Sequence, residues 1–430
     1  MYESAVGHKN KYTIMSLLFI NPFVEDFTAY NLWAVPLGLF RLMERFERSG
    51  EVVEFVDFLD GSDVGGDGAV APEFRSWGRH SYWKKRIEKP VEVKFVPRNF
   101  NRFGASDDRA YEILSKVNKP EKIFVSSGMT YWYRSAVRTI KIVRDVFPDV
   151  EIAVGGIAAT LIPEFFRMEG VKVHEGIYPV GEDITGTGSK YLNDLRFFPA
   201  NIVKGCPNRC SYCASSIFDE SIKIKDIQAL SQNHEKWHGV TNFVDVAFYD
   251  DALLLNKGLY LKDFLNTLTP GKFRFHTPNG LHLKEVDEEL CRYFADYNFP
   301  QLRFGFETAF SRFDDKTNFV ELTKVVEMLH KYGFNHEMIG VYLLCGLPGQ
   351  TVEEVEKTIE LVSAIGARPY LSEYSPVPKT ALFKKHLAES RLDFENEPLY
   401  QNNSVSSFRS PVFTPNVMKG LKEKLNRIYR

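Results

Sequence analysis

The stretch Lys204-Gly205-Cys206-Pro207-Asn208-Arg209-Cys210-Ser211-Tyr212-Cys213 holds three of the chain's five cysteines within eight residues, at C-x3-C-x2-C spacing. It directly follows the strand-like run Asn201-Ile202-Val203. Thiolates on one short loop suit a soft metal centre, because thiolate is the ligand of iron-sulfur clusters and neighbouring ligands need little loop closure. A 4Fe-4S cluster held by Cys206, Cys210 and Cys213 leaves one of its four irons without a protein ligand, and an open iron is a place for chemistry. Two plainer explanations stand beside this one. Three unrelated thiols packed as small hydrophobes sit badly with Pro207, Asn208 and Arg209 among them. A structural zinc wants a fourth ligand, which Cys291, Cys345 or a histidine is available to supply.

At 430 residues the chain is long enough for two to three domains. Hydrophobic content of 44% and charged content of 26% are ordinary for a globular protein. A net charge of -2 exerts no overall pull towards nucleic acid or an anionic membrane. No apolar run reaches the ~18 residues of a membrane span, and Met1 to Lys11 has no signal-peptide core. Five cysteines are too few for a disulfide framework. The expectation is a cytoplasmic protein with no membrane contact.

The elements that carry the loop follow from periodicity. Up to about residue 180, strand-like runs at Lys11 to Phe23, Glu51 to Leu59, Lys122 to Ser127 and Glu151 to Val154 alternate with helical patterns at Ala34 to Arg48, Asp107 to Val117 and Arg134 to Phe147. Such alternation predicts a doubly wound parallel sheet, which takes ligands beyond the carboxyl ends of its strands. Those ends carry Asn21, Ser126, Ser127, Thr130, Tyr131, Gly155 and Gly156, which are either ligand contacts or turn residues. The aromatic and basic segment Ala71 to Gly104 (Trp77, Arg79, His80, Tyr82, Trp83) reads as a surface insertion, with anion binding as the alternative.

A glycine-, threonine- and acid-rich stretch suits a linker at 181–198. Beyond it, six strand-like runs (Asn201 to Val203, Phe243 to Phe248, Lys272 to His276, Leu302 to Phe306, Ile339 to Leu344, Pro369 to Tyr374) alternate with helical patterns and predict a curved parallel sheet or partial barrel at 199–378. The intervening helices are expected at Lys223 to Trp237, Tyr260 to Leu268, Lys284 to Asp296, Glu321 to Lys331 and Val352 to Ala364, the last capped by Thr351 with Glu354. The strand ends carry chemistry. Asp250 and Asp251 can accept charge-assisted hydrogen bonds or cap a helix. Glu307 leaves an apolar run, where a carboxylate needs a ligand or a partner such as Arg303. His276 and His282 are acid-base groups or structural residues, Gly346 permits close backbone approach, and Cys345 is a packed thiol. Residues 379–430 form an extension that covers the barrel mouth or binds substrate.

The cysteine spacing, with the aromatic Tyr212 just before the third cysteine, resembles the cluster loop of radical S-adenosylmethionine (SAM) enzymes. The resemblance implies a 4Fe-4S cluster on Cys206, Cys210 and Cys213, whose open iron is chelated by SAM, and reductive cleavage of SAM to a 5'-deoxyadenosyl radical. It also implies a (β/α)6 partial barrel with SAM contacts at Tyr212, at one of Asp250 and Asp251, at Glu307 and near Gly346. Residues 1–180 resemble the Rossmann-like, cobalamin-binding-type domain of one group of these enzymes, with Ser126, Ser127, Tyr131, Gly155 and Gly156 towards the corrin. The Asp-x-His-x-x-Gly motif is missing, so cobalamin is bound without that histidine or not at all. The implied activity is cobalamin-dependent methyl transfer to an unactivated centre, with cobalamin-free radical chemistry or a non-catalytic iron-sulfur regulator as alternatives. The implied partners are a flavodoxin or ferredoxin type electron donor and a small-molecule or peptide substrate.

Overall fold

The computed structural model describes residues 15–429 apart from 63, 67, 169, 180–190, 192–195, 219–220 and 314–315. Ser16–Asn21 (β1) is buried over its four central residues, as a strand covered on both faces must be. Val52–Asp57 (β2), Lys122–Ser127 (β3), Glu151–Gly156 (β4) and Val171–Val173 (β5) complete the first sheet. Its order is β5-β4-β3-β1-β2, parallel throughout. Alternate side chains face opposite layers. Leu18, Ile20, Ile123, Val125, Ile152 and Val154 pack with the helices Asp107–Ser115 and Tyr133–Val146. Leu17, Phe19, Val53 and Phe124 instead pack on helix Leu37–Arg48 through Leu39, Phe40 and Met43. Helices on both faces make the sheet doubly wound. The order reverses between β1 and β3, and their carboxyl ends form the switch point where such sheets take ligands.

Phe198–Ala200 (β6), Asp245–Phe248 (β7), Arg274–His276 (β8), Leu302–Glu307 (β9), Ile339–Cys345 (β10) and Arg368–Glu373 (β11) form the second body. They are parallel in two sets, β6-β7-β8 and β9-β10-β11, joined by a parallel bridge from Leu281 to Phe304. Val246, Phe248, Phe275, Phe304, Phe306, Val341 and Leu343 face outward and share one core with the surrounding helices and with the Leu17 face of the first sheet. By the same alternation Asp245, His276, Arg303, Glu307, Tyr342 and Tyr370 face the lumen of the partial barrel.

Several expectations change. The first barrel strand is Phe198–Ala200, not Asn201 to Val203. Ile202 and Val203 give their N–H groups to Asp250, and Val203–Lys204 pairs antiparallel with Lys223–Ile224, so this segment is the base of the cysteine loop. The helix expected from Lys223 accordingly starts at Ile227, capped by Asp226. The helix expected at Tyr260 to Leu268 spans Leu255–Leu265, and that at Lys284 to Asp296 is a short turn followed by Glu288–Asp296. Of the linker expected at 181–198, only Tyr191 and 196–198 are described, and Phe197 and Phe198 are buried core.

The segment from Ala71 to Gly104 is woven into the fold. Lys84–Ile87 and Val24–Asp26 flank Phe100–Phe103 in an antiparallel sheet, and Phe100, Val93 and Val96 share a small core with Leu399 and Val405 of the C-terminal extension. That extension also touches both bodies directly. Leu382 N donates to Ser211 O at 2.9 Å in the cysteine loop, Lys379 Nζ to Thr160 O, and Asn402 Nδ2 to Asp26 Oδ1 at 2.7 Å.

Candidate active site

Cys206, Cys210 and Cys213 are half-buried and in no disulfide. Gly205, at φ +86°, turns the chain into the loop, and Cys213 N donates to Cys210 O at 3.1 Å. Burial pushes the Cys206 thiol up; an Asn208 backbone bond opposes this, and the charges of Asp251, Cys210 and Cys213 add to it. Thiolates brought together in this way are stabilised by a cationic centre between them. Among the described residues no three His, Cys, Asp or Glu side chains converge as ligands of a single ion do. A cluster binds each thiolate at a different iron, so the donor set fits it better than zinc. Cys291 and Cys345 are no fourth ligands: both are buried in the core, and burial pushes each thiol up to about 12.

Asp250, 3% exposed, accepts from Ile202 N at 2.9 Å and from Val203 N through Oδ1. Its Oδ2 is buried and without a hydrogen-bond partner among the described residues. Burial pushes this carboxyl up to about 7 despite the two amides. Asp251 is exposed and its charge reaches Cys206. The pair thus divides: Asp250 is buried and holds the loop's base, while Asp251 is exposed and acts on Cys206 through its charge.

Glu307 ends β9 at φ +61°, beyond a register shift against β10. Its Oε1 accepts from Lys316 Nζ at 2.6 Å, and the same Nζ donates to Tyr212 OH at 3.1 Å. The carboxylate partner is therefore Lys316, not Arg303, whose guanidinium lies 4.1 Å over the Tyr370 ring. Gly346, at φ +85°, donates to Gln350 Oε1 at 2.9 Å, and a Cβ there would meet nothing within 4 Å. That open space leaves room for a flat ligand. His282 Nε2 lies 3.9 Å from Cys206 Sγ. His276 is buried with Nε2 2.7 Å from Asp245 Oδ1. Burial lowers both imidazoles.

A cavity of about 510 Å3 opens at the switch point of the first sheet. Ser126, Ser127, Gly155 and Gly156 line it; Tyr131 does not, being turned edge-on to Trp132 at 5.8 Å. Gly156 is required, since a Cβ would meet Ser127 O at 2.5 Å. The Ser127 hydroxyl is committed to Gly155 O at 2.8 Å and Ala159 N at 2.9 Å, so it shapes the wall. His174 lines the same cavity with Nε2 buried and without a hydrogen-bond partner among the described residues, which fits a large polar ligand there. Phe218 and Tyr249 of the barrel half close the opposite side. Lys316 and His174 carry no motif or period that would single them out in the sequence, whereas Tyr249 stands directly before the Asp250-Asp251 pair.

Residues 200–362 match the family model of the Radical SAM superfamily. Among curated proteins, the chain is similar to cytidylyl-2-hydroxyethylphosphonate methyltransferase of Streptomyces wedmorensis, at 20% identity over 54% of this chain and 42% of the relative. It is also similar to anaerobic magnesium-protoporphyrin IX monomethyl ester cyclase of Cereibacter sphaeroides, at 23% identity over 43% of this chain and 31% of the relative. The chain spans less than half the length of either. Among solved structures, the radical SAM methyltransferase TsrM from Kitasatospora setae, bound to tryptophan substrate and a SAM analogue, superposes with TM-score 0.63 at 13% identity over 96% of this chain and 89% of that one. TsrM with cobalamin and a [4Fe-4S] cluster bound gives 0.59 at 14% identity over 88% and 76%. At such identity the likeness is one of fold, and it extends over the first sheet as well as the barrel. Residues 200–362 thus match the radical SAM superfamily, and in fold the whole chain is similar to TsrM, a radical SAM methyltransferase solved with cobalamin and a [4Fe-4S] cluster bound.

Proposed function

We propose that this radical SAM enzyme methylates an unactivated centre of a small molecule or peptide, using a 4Fe-4S cluster on Cys206, Cys210 and Cys213, two uses of SAM, and cobalamin. The observation that carries the reading is the cavity at the switch point, walled on one side by Ser126, Gly155 and Gly156 and on the other by Tyr249 and by Phe218 next to the cysteine loop. Bound together, these groups supply reductive SAM cleavage and a transferable methyl group. The chain's own part is positional. Asp250 holds the loop base; its Oδ2 and Asp251 offer acceptors to an ammonium. Lys316, held by Glu307, orients Tyr212 within the loop, and the extension from residue 379 tethers the loop through Leu382. Electrons come from a flavodoxin or ferredoxin type donor. No helix among the described residues is long and apolar enough to cross a membrane; we place the enzyme in the cytoplasm.

Cobalamin-free radical chemistry is the second reading, favoured by the Ser127 hydroxyl being already spent within the fold. Mass spectrometry of SAM products from anaerobically reconstituted, reduced protein separates the two. 5'-Deoxyadenosine together with cobalamin-dependent S-adenosylhomocysteine is the expected result. 5'-Deoxyadenosine alone, unaffected by cobalamin, would overturn methyl transfer in favour of the second reading.

A further inference from the structure

The amino-terminal half of the barrel lumen, away from the cysteine loop, holds positive charge that no carboxylate among the described residues fully neutralises. Asp245 on β7 is spent: Arg274 grips it bidentately, Nε to Oδ1 at 2.9 Å and Nη2 to Oδ2 at 2.8 Å, and His276 takes Oδ1 as well. Two further guanidinium groups share this space. Arg303 projects from β9, its Nη2 donating to Gln301 Oε1 at 2.7 Å while Nη1 is buried without a hydrogen-bond partner among the described residues. Arg79 arrives from the segment before β3 and lies 5.0 Å over the Trp33 ring and 4.8 Å over the Trp77 ring. Trp33 in turn stacks on His276, with centroids 4.5 Å apart. Arg79 bonds to Ser76 at 3.2 and 3.3 Å. Among the described residues neither Arg79 nor Arg303 has a carboxylate at ion-pair distance, the nearest lumen carboxylate being held by Arg274.

Like charges drawn into a half-buried space by separate parts of the chain are costly unless an anion joins them. The cost registers on Arg79, which is lowered by burial first and then by Arg303 and Arg75, with Asp245 only partly opposing. The arrangement is also held under backbone strain. Trp33 and Trp77 sit at φ +63° and +65°, a region bulky residues seldom enter, and are locked together by Trp33 Nε1 donating to Trp77 O at 2.8 Å. Strain of this kind persists where surrounding structure over-determines it, often at ligand clamps. A guanidinium fork matches the planar oxygens of carboxylate and the tetrahedral oxygens of a phospho group, and Tyr342 and Tyr370 offer an aromatic wall beside Arg303.

We propose that Arg79 and Arg303 form an oxyanion site in the barrel lumen, so that the substrate carries a carboxylate, phosphate or phosphonate group held away from the cysteine loop. The substrate part of this inference rests on the proposed methylation of a small molecule or peptide. The test is oxyanion binding to the full chain, read as tryptophan fluorescence and as Tm, with methylphosphonate, acetate and neutral acetamide at constant ionic strength, for wild type, Arg79→Met and Arg303→Met. Saturable quenching and a raised Tm with an oxyanion, absent with acetamide and at least tenfold weaker in both variants, are expected; the stronger of methylphosphonate and acetate identifies the phospho or carboxylate class. No saturable response, or equal affinity in wild type and the folded variants, would overturn the site. SAM products are assayed in parallel. Cleavage without oxyanion binding removes this site and leaves the radical SAM reading intact, whereas oxyanion binding without any SAM product keeps the site and removes the reading of the enzyme's chemistry.

Discussion

Asp250 is a carboxylate whose work is done on the backbone. It holds the amides of Ile202 and Val203, and with them the strand that leads into Cys206. Asp250→Ala orphans both, at about 1–3 kcal/mol each; a lower Tm and less iron and sulfide per chain after reconstitution are expected. Asp250→Asn keeps an acceptor and removes a buried charge. Because the folded carboxyl titrates at about 7, above its unfolded value near 4, the native state holds the proton between those values. The stability this contributes is complete below pH ~4 and lost as pH rises through about 7. Wild type is therefore expected to lose stability relative to the Asn variant between pH 5 and 8; parallel melting of the two across that range would contradict the assignment. At the cysteines, alanine at 206, 210 or 213 is expected to abolish cluster absorbance and SAM cleavage, while Cys291→Ala and Cys345→Ala retain both. Full cleavage by any of the first three would sink the cluster assignment.

At the scale of elements, helix Ile227–Thr241 carries His234 into an aromatic pocket, 4.5 Å from the Phe273 ring and 5.1 Å from that of Phe198. Neither ring nitrogen has a partner among the described residues. Burial, reinforced by His238 and Lys272, pushes the imidazole down to about 3, and burial beside Arg409 takes His386 to about 4. An unfolded histidine titrates near 6.5. As pH falls below that value the unfolded chain takes up protons the native state refuses, so stability drops, by up to ~1.4 kcal/mol per pH unit for each histidine. His234→Phe fills the pocket without a titrating group. Denaturant midpoints at pH 7 and 5 are expected to differ less in the variant, and an unchanged difference would show that His234 does not titrate this way. The elements most legible in the sequence were those with local signals: helix Val352–Ala364 carries its Thr351–Glu354 capping box. Helix Leu255–Leu265 was harder to bound because Asn256, Lys257 and Gly258 adopt left-handed backbone at its start.

Across the whole molecule, one core runs from the Leu17 face of the first sheet to the barrel helices, and the C-terminal extension fastens the two bodies from outside. Arg409, 1% exposed, is the extension's anchor: it donates to Tyr374 O at 2.8 Å, Asn402 O at 2.9 Å and Tyr400 O. Arg409→Met leaves three carbonyls without that donor, a loss of about 1–3 kcal/mol for each that stays buried. Limited proteolysis is expected to clip the variant within 390–430 while wild type resists, and its cysteine loop, released from Leu382, is expected to lose iron faster in air. Equal resistance to cleavage would mean that the extension is held by its apolar contacts alone.

The chain by itself determined whatever depends on near neighbours. The C-x3-C-x2-C spacing marks a three-thiolate loop wherever the loop sits, and apolar runs alternating with helical periods specify parallel strands, because burial pattern is set residue by residue along an element. The tertiary structure decided which distant groups meet. Lys316 and Tyr212, 104 positions apart, close on Glu307; Trp33 and Arg79 reach His276 and Asp245 in the lumen; Leu382 reaches the cysteine loop. The segment from Ala71 to Gly104 read as surface because its charges and aromatics follow no period. Its pairing with Val24–Asp26 and its packing against Leu399 and Val405 depend on the path of the backbone through the other elements, and long-range pairing of that kind leaves no local signature in the order of residues.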